Sequence, residues 1–344
     1  MSILTFIIVF LLGIGLTAGL TPLVIMLGQR WDLVAEPGGR RVHQGRVTRI
    51  GGLAIFPPFL IACLVTLGLP RQDSLEITRL IGTLVGLTIV WIMGMLDDRY
   101  RLPAWSQALA LVLAAAAAIL CKVFIELFNN PILNAPVKVD WYLMVPITLF
   151  WLIGMPTTLN LLDGLDGLAT GVTAISALVL FIHMLRLGQY SVALLPLALL
   201  GCCLGFLPFN FFPARIYLGG GAYVLGFALA AISIISGAKV ATVLLVVWLP
   251  IIDVVWQIFS RWRRHQPVSL GDRGHLHLRL QDIGWPQGRI VLLYYGFTAV
   301  LGATALLISS RLLKLVILVV LAVVIFVSLA ILARTTGDKT PTGH

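Results

Sequence analysis

Charge is what this sequence has least of. Asp, Glu, Lys and Arg make up 11% of its 344 residues, where a water-soluble domain carries about 25%. Strict apolar–polar alternation is also missing. The apolar runs are continuous, which excludes an outer-membrane barrel. Cysteine is scarce: Cys63, Cys121, Cys202 and Cys203 lie in or beside apolar runs, and none forms a CxxC pair. They read as small apolar residues rather than a disulfide or metal framework. A cleavable leader is not evident. The first apolar run is long and has neither a basic start nor a small-residue cleavage site, so it is expected to be retained as a span. No internal repeat appears, and the run 114–118 of alanines is ordinary helix.

What is present is apolar: 59% of residues are hydrophobic and mean hydropathy is +1.02. That excludes disorder, which needs the opposite composition. It leaves an all-α polytopic membrane protein. A spanning helix needs about 20 apolar residues. Eleven candidates are expected, near 3–27, 50–69, 79–96, 104–121, 142–160, 169–187, 191–211, 221–237, 240–260, 290–309 and 315–333. The count is ten if 221–237, short and bounded by glycine, does not cross.

The 24 basic residues outnumber the 14 acidic ones, for a net charge of +10. In a soluble protein this would point to nucleic acid. In a membrane protein, basic loops set topology, and no nucleic-acid partner is expected. With eleven spans, sixteen of the 24 fall on one set of loops (28–49, 97–103, 161–168, 212–220, 261–289 and the C-terminal tail) and eight on the other. The richer set is expected to be cytoplasmic, with the N-terminus outside and the C-terminus inside. Asp97, Asp98, Asp163, Asp166, Asp272, His43, His275 and His277 all fall on that inner side. A transporter would instead place polar groups near the midplane. One-sided chemistry suits an enzyme taking a soluble substrate from the cytoplasm and a lipid from the bilayer.

Five constellations could carry that chemistry. Asp97 and Asp98 end a long apolar run. Adjacent carboxylates suit Mg²⁺ or a general base, and they equally suit a solvated helix stop beside Arg99 and Arg101. Asn160, Asp163 and Asp166 recur every third residue, so on a helix their oxygens would share a face. Gly164 and Gly167 would let backbone approach a ligand closely. The alternative is a tight turn capped by Asp. In the 261–289 loop, Arg273, His275 and His277 suit a pyrophosphate, Arg by its bidentate fork. Zinc is the weaker reading for want of a third ligand nearby, and Arg261, Arg263 and Arg264 read as a topology anchor. Arg40, Arg41, His43, Arg46 and Arg49 precede Gly51 and Gly52, as anion capture or as topology signal. Finally, Asn210, Arg215 and Tyr217 lie beside Gly219–Gly221, offering an amide, a guanidinium and rings for a base or for the membrane interface. Asp253, inside an apolar span, needs a partner there; its role stays open between structure and proton handling.

Taken in order, these segments resemble the polyprenyl-phosphate N-acetylhexosamine-1-phosphate transferase superfamily, glycosyltransferase family 4, over nearly the whole chain. The carriers are Arg40–His43 with Arg49–Ala54, Leu96–Asp98, Asn160–Ala169, Phe209–Asn210 with Phe212–Arg215, and Asp272–His277. The last looks like the bacterial undecaprenyl-phosphate GlcNAc-1-phosphate transferase branch. The resemblance implies one integral-membrane transferase domain over 1–344, with catalytic loops near 28–49, 97–103, 160–171, 210–221 and 261–289. It implies transfer from a UDP-N-acetylhexosamine, UDP-GlcNAc first, to undecaprenyl phosphate, with release of UMP. The step would initiate polysaccharide synthesis for the cell envelope at the cytoplasmic face of the plasma membrane, with Mg²⁺ or Mn²⁺ as cofactor and a homodimer as the assembly. Asp97, Asp98, His275 and His277 would be catalytic. Arg49, Asp163, Asp166, Asn210, Arg215, Tyr217 and Arg273 would bind substrate. Asp98, Asn160 and Asp163 would hold the metal. The chain departs from the pattern where Gly220 stands in place of a metal-binding Asp, Thr157 in place of an Asn and Leu278 in place of a third His. The basic residue that the pattern expects soon after the Asp pair is absent, with Trp105, Ser106 and Gln107 in that stretch. The alternative these departures imply is a relative that binds lipid phosphate or nucleotide sugar without turnover.

Overall fold

The computed structural model describes residues 1–35, 46–130, 135–236, 240–263, 265 and 274–335. The helices are α1 (Ile3–Arg30), α2 (Gly52–Val65), α3 (Glu76–Tyr100), α4 (Ala104–Leu120), α5 (Trp141–Leu162), α6 (Leu168–Arg186), α7 (Tyr190–Asn210), α8 (Gly221–Ile235), α9 (Val240–Val246), α10 (Trp248–Arg263), α11 (Leu276–Asp282), α12 (Gln287–Leu307) and α13 (Arg311–Thr335). Two antiparallel strand pairs, β1 (Val34–Ala35) with β2 (Val47–Thr48) and β3 (Leu127–Asn130) with β4 (Ala135–Lys138), complete the described elements.

Each expected span falls on a helix or a helix pair. Among the described residues seven helices are long and apolar enough to cross a membrane alone, or eight if one bent pair counts as a span. Three apolar helices are shorter: α4, α8, and α2 with the turn that follows it. The expected span over 240–260 falls on two helices, α9 and α10, which meet at a 78° bend. Pro250 explains the break. Its ring nitrogen cannot donate to the carbonyl four residues back, but it is tolerated in the first turn of a new helix.

The short α8 sits at the centre, with all fifteen of its residues buried. At 1.5 Å per residue it reaches about 22 Å, less than the ~30 Å hydrocarbon core. It meets protein rather than lipid on every side, so its ends need not reach water. α3 and α5 flank it, and α6 packs on both α7 and α12, with α1 outside α7. The Trp151 indole N–H of α5 donates to Ser233 Oγ of α8 at 3.0 Å. By contrast α1 and α13 are largely exposed apolar helices, 17% and 11% buried over their spans, as lipid-facing segments should be.

The start of α8 is pinned where glycines meet. A Cβ on Gly94 of α3 would come within 2.9 Å of Gly220 Cα, and one on Gly52 within 3.0 Å of Gly221 N. Such contacts let helix backbones touch, as small residues do inside membranes. The segment before α2 is tied to the same place. Tyr217 N–H donates to the Thr48 carbonyl at 2.8 Å, and Gly51 and Gly52 N–H donate to the carbonyls of Tyr217 and Leu218 at 3.0 and 3.1 Å.

Candidate active site

The end of α3 is built around Asp97. Arg101 ends the helix in the left-handed region (φ 52°), and its N–H returns to the Asp97 carbonyl at 2.8 Å, a common helix stop. The Asp97 side chain then accepts from Leu102 N–H at 2.8 Å and from Gln107 Nε2 at 3.0 Å, both on Oδ1. Pro103 precedes α4 and prevents continuation of α3.

Asp98 points the other way. It is 4% exposed, and the Gly220 N–H donates to both its oxygens, at 3.1 and 3.0 Å. Arg49 Nε stands 3.8 Å from Oδ1. A side chain on Gly219 would overlap this carboxylate. The carboxylate of α3 thus occupies the mouth of α8, where the positive end of the helix favours an anion. Asp97 and Asp163 lie within electrostatic reach of it.

Asn160 and Asp163 come from the last turn of α5 and its C-cap. Asn160 Nδ2 donates to Tyr223 Oη at 3.0 Å, and that phenol donates to Gln107 Oε1 at 2.8 Å. The turn to α6 uses Gly167 at φ 80°, a conformation glycine adopts without cost. Asp166 in that turn accepts from Ala214 N–H at 3.1 Å, and Tyr295 of α12 donates to the Gly167 carbonyl at 2.6 Å.

The histidine segment docks on the same turn. His277 Nε2 lies where a side chain on Gly164 would begin, so only glycine leaves room. His275 and His277 stack with ring centroids 5.6 Å apart. Asp253 of α10, 2% exposed, has one oxygen 2.9 Å from His275 Nδ1 and the other accepting from Leu276 N–H at 2.9 Å. A carboxylate only accepts, so it fixes the ring with a proton on Nδ1.

The helix ends thus bring Arg49, Asp97, Asp98, Asn160, Asp163, His275 and His277 around α8 and the α5–α6 turn. Asn210 is drawn into support instead: it is 1% exposed, accepts from Thr170 at 2.6 Å and donates to the Ile216 carbonyl at 2.9 Å. Tyr217 is buried, and Arg215 is exposed on the adjoining loop. Arg40, Arg41, His43, Asp272 and Arg273 lie outside the described residues. Sequence reasoning missed Gln107 and Tyr223 as participants, and left the role of Asp253 open.

Among the described residues no three His, Cys, Asp or Glu side chains converge as a ligand set. Asn160 and Asp163 offer hard oxygens, as Mg²⁺ prefers. They make only part of an octahedral shell, so water, or water with phosphate oxygens, would have to complete it.

Fold and site define an integral-membrane helical protein whose polar groups gather where helix ends meet. Residues 80–237 match the family model described as Glycosyl transferase family 4. The chain is 29% identical to the "Probable undecaprenyl-phosphate N-acetylglucosaminyl 1-phosphate transferase" of Bacillus subtilis, over 96% of this chain and 92% of that protein. It is 29% identical to the "Decaprenyl-phosphate N-acetylglucosaminephosphotransferase" of Mycobacterium leprae, over 82% and 79%. It is 30% identical to the "Phospho-N-acetylmuramoyl-pentapeptide-transferase" of Symbiobacterium thermophilum, over 83% and 92%. The chain belongs to glycosyltransferase family 4 and falls in its bacterial polyprenyl-phosphate sugar-1-phosphate transferase branch.

Proposed function

We propose that the protein transfers N-acetylhexosamine 1-phosphate, with UDP-GlcNAc as first donor, to undecaprenyl phosphate. A lipid-phosphate oxygen attacks the β-phosphorus of the nucleotide sugar. The bond from that phosphorus to the bridging oxygen breaks, UMP leaves with the oxygen, and a lipid-linked sugar pyrophosphate forms. The convergence of Asp97, Asp98 and Asn160 beside the mouth of α8 carries this reading. Phosphoryl transfer asks mainly for positioning and charge neutralisation; the cluster serves positioning, and neutralisation falls to Arg49 and a divalent cation. Asp97 keeps one oxygen, Oδ2, without a protein donor among the described residues, and it orients or deprotonates the acceptor phosphate. Arg49 and the histidine pair face the diphosphate, and Asp163 and Asp166 the nucleotide. When bound, Mg²⁺ offsets phosphate charge, held in part by Asn160 and Asp163. The excess of basic residues on one set of loops supports an active site at the cytoplasmic face of the plasma membrane, where the product starts an envelope glycan.

One observation favours a second reading, a relative that binds without turnover. Gly220 carries no carboxylate, and its N–H engages both oxygens of Asp98. Substitution separates the two. Asp97→Asn and Asp98→Asn should each lower turnover of the purified protein by about 10²-fold or more. Wild-type rates in either variant would remove that residue from the mechanism. UDP-GlcNAc binding by a wild-type protein that transfers nothing would establish the second reading.

A further inference from the structure

Asp97 and Asn160 sit on different helices, yet an unbroken hydrogen-bonded chain joins them. Gln107 Nε2 donates to Asp97 Oδ1 at 3.0 Å, Tyr223 Oη donates to Gln107 Oε1 at 2.8 Å, and Asn160 Nδ2 donates to Tyr223 Oη at 3.0 Å. The direction of this chain is over-determined. A carboxylate only accepts, and so does a backbone carbonyl. The near end of Gln107 faces both, because its Nε2 also donates to the Leu102 carbonyl at 3.2 Å. The amide must therefore present NH₂ to α3 and its oxygen to Tyr223. The phenol must donate to that oxygen, and what it has left to offer Asn160 is a lone pair. Asn160 answers with its NH₂, and its Oδ1 is turned away from the chain. Among the described residues no protein donor reaches that oxygen.

We infer that Gln107 and Tyr223 are positioning residues that hold the Asn160 carbonyl oxygen out as an acceptor for a hard divalent cation, their direction set by Asp97. The inference rests on the proposed reading of the site, in which Asn160 meets a cation accompanying the diphosphate. Without the chain, the Asn160 amide is free to flip and offer NH₂ to the cation for part of the time.

The test is Mn²⁺ binding by the full-length protein in detergent, followed by electron paramagnetic resonance without nucleotide or lipid. Tyr223→Phe removes the middle link and keeps the ring, while Gln107→Met removes the first link from another helix. Losing the partner that orients a metal ligand costs about 10–100-fold in affinity. Each variant should therefore weaken Mn²⁺ binding by about tenfold, and Asn160→Ala by at least as much. Tyr223→Phe added to Asn160→Ala should cost nothing further, because both act through one oxygen. A purely structural role would move the melting temperature and leave Mn²⁺ affinity alone. Wild-type affinity in both Tyr223→Phe and Gln107→Met overturns the inference, and so does a wild-type protein that binds no Mn²⁺. Sugar-phosphate transfer is scored separately, so failure of the transferase reading is told apart from failure of this one.

Discussion

Asp253 lies within an apolar helix and has two donors, one of them His275 Nδ1. An Asp253→Asn protein keeps a similar shape but can present NH₂ to the ring, which would favour the other tautomer. By comparison with other carboxylates that orient functional histidines, turnover should fall roughly 10–100-fold with little change in melting temperature. Asp253→Ala should also lower stability, by about 1–3 kcal/mol, because a buried N–H loses its acceptor. A steady-state rate beside a thermal melt distinguishes the two effects, and unchanged turnover in Asp253→Asn would remove the His275 pair from the mechanism. At this scale the sequence is readable for charged groups and poor for neutral ones. A carboxylate in an apolar run announces that it needs a partner. Gln107 and Tyr223 carry no such signal, because an amide or a phenol near a helix end is common and only the fold shows that the two touch. Asn210 shows the converse, since its place in a motif beside aromatics says nothing of Thr170 and the Ile216 carbonyl taking up its amide.

At the scale of elements, α3 and α8 cross backbone to backbone at Gly94 and Gly220. This contact bears directly on the missing carboxylate of position 220. A Cβ there would overlap the Gly94 backbone, so Gly220→Asp cannot simply restore the acidic residue that the family pattern expects. Gly220→Ala and Gly220→Asp should each destabilise the protein by about 1–3 kcal/mol, the usual effect of overpacking, and Gly220→Asp should not raise turnover. A Gly220→Asp protein that melts as the wild type does and transfers faster would contradict this packing. The helices themselves follow the apolar runs of the sequence closely, because about 20 apolar residues leave the backbone few alternatives in lipid. The bend between α9 and α10 was less legible: Pro250 allowed it, but hydropathy alone runs straight through. The burial of α8 was not legible at all, since a short, glycine-bounded apolar segment reads as a weak span until its neighbours are seen.

Across the whole molecule, the two ends of α3 differ in kind. At its start, Glu76 is 3% exposed and both its oxygens are taken by protein donors: Arg71 at 2.8 Å on one, Ser191 at 2.8 Å on the other. Toward its far end, about 32 Å away by helix rise, Asp97 Oδ2 and Asn160 Oδ1 have no protein donor among the described residues. One end is a structural tie, and the other borders the proposed site. The central claim, transfer of a sugar phosphate to a lipid phosphate, is tested most directly by following the β-phosphorus. UDP-GlcNAc labelled with ³²P at the β-position is mixed with the purified protein, undecaprenyl phosphate and Mg²⁺, and both phases are counted. The account expects label in the lipid phase and unlabelled UMP in water, in equal amounts. Label remaining in water as UDP, or as unreacted UDP-GlcNAc, would contradict it.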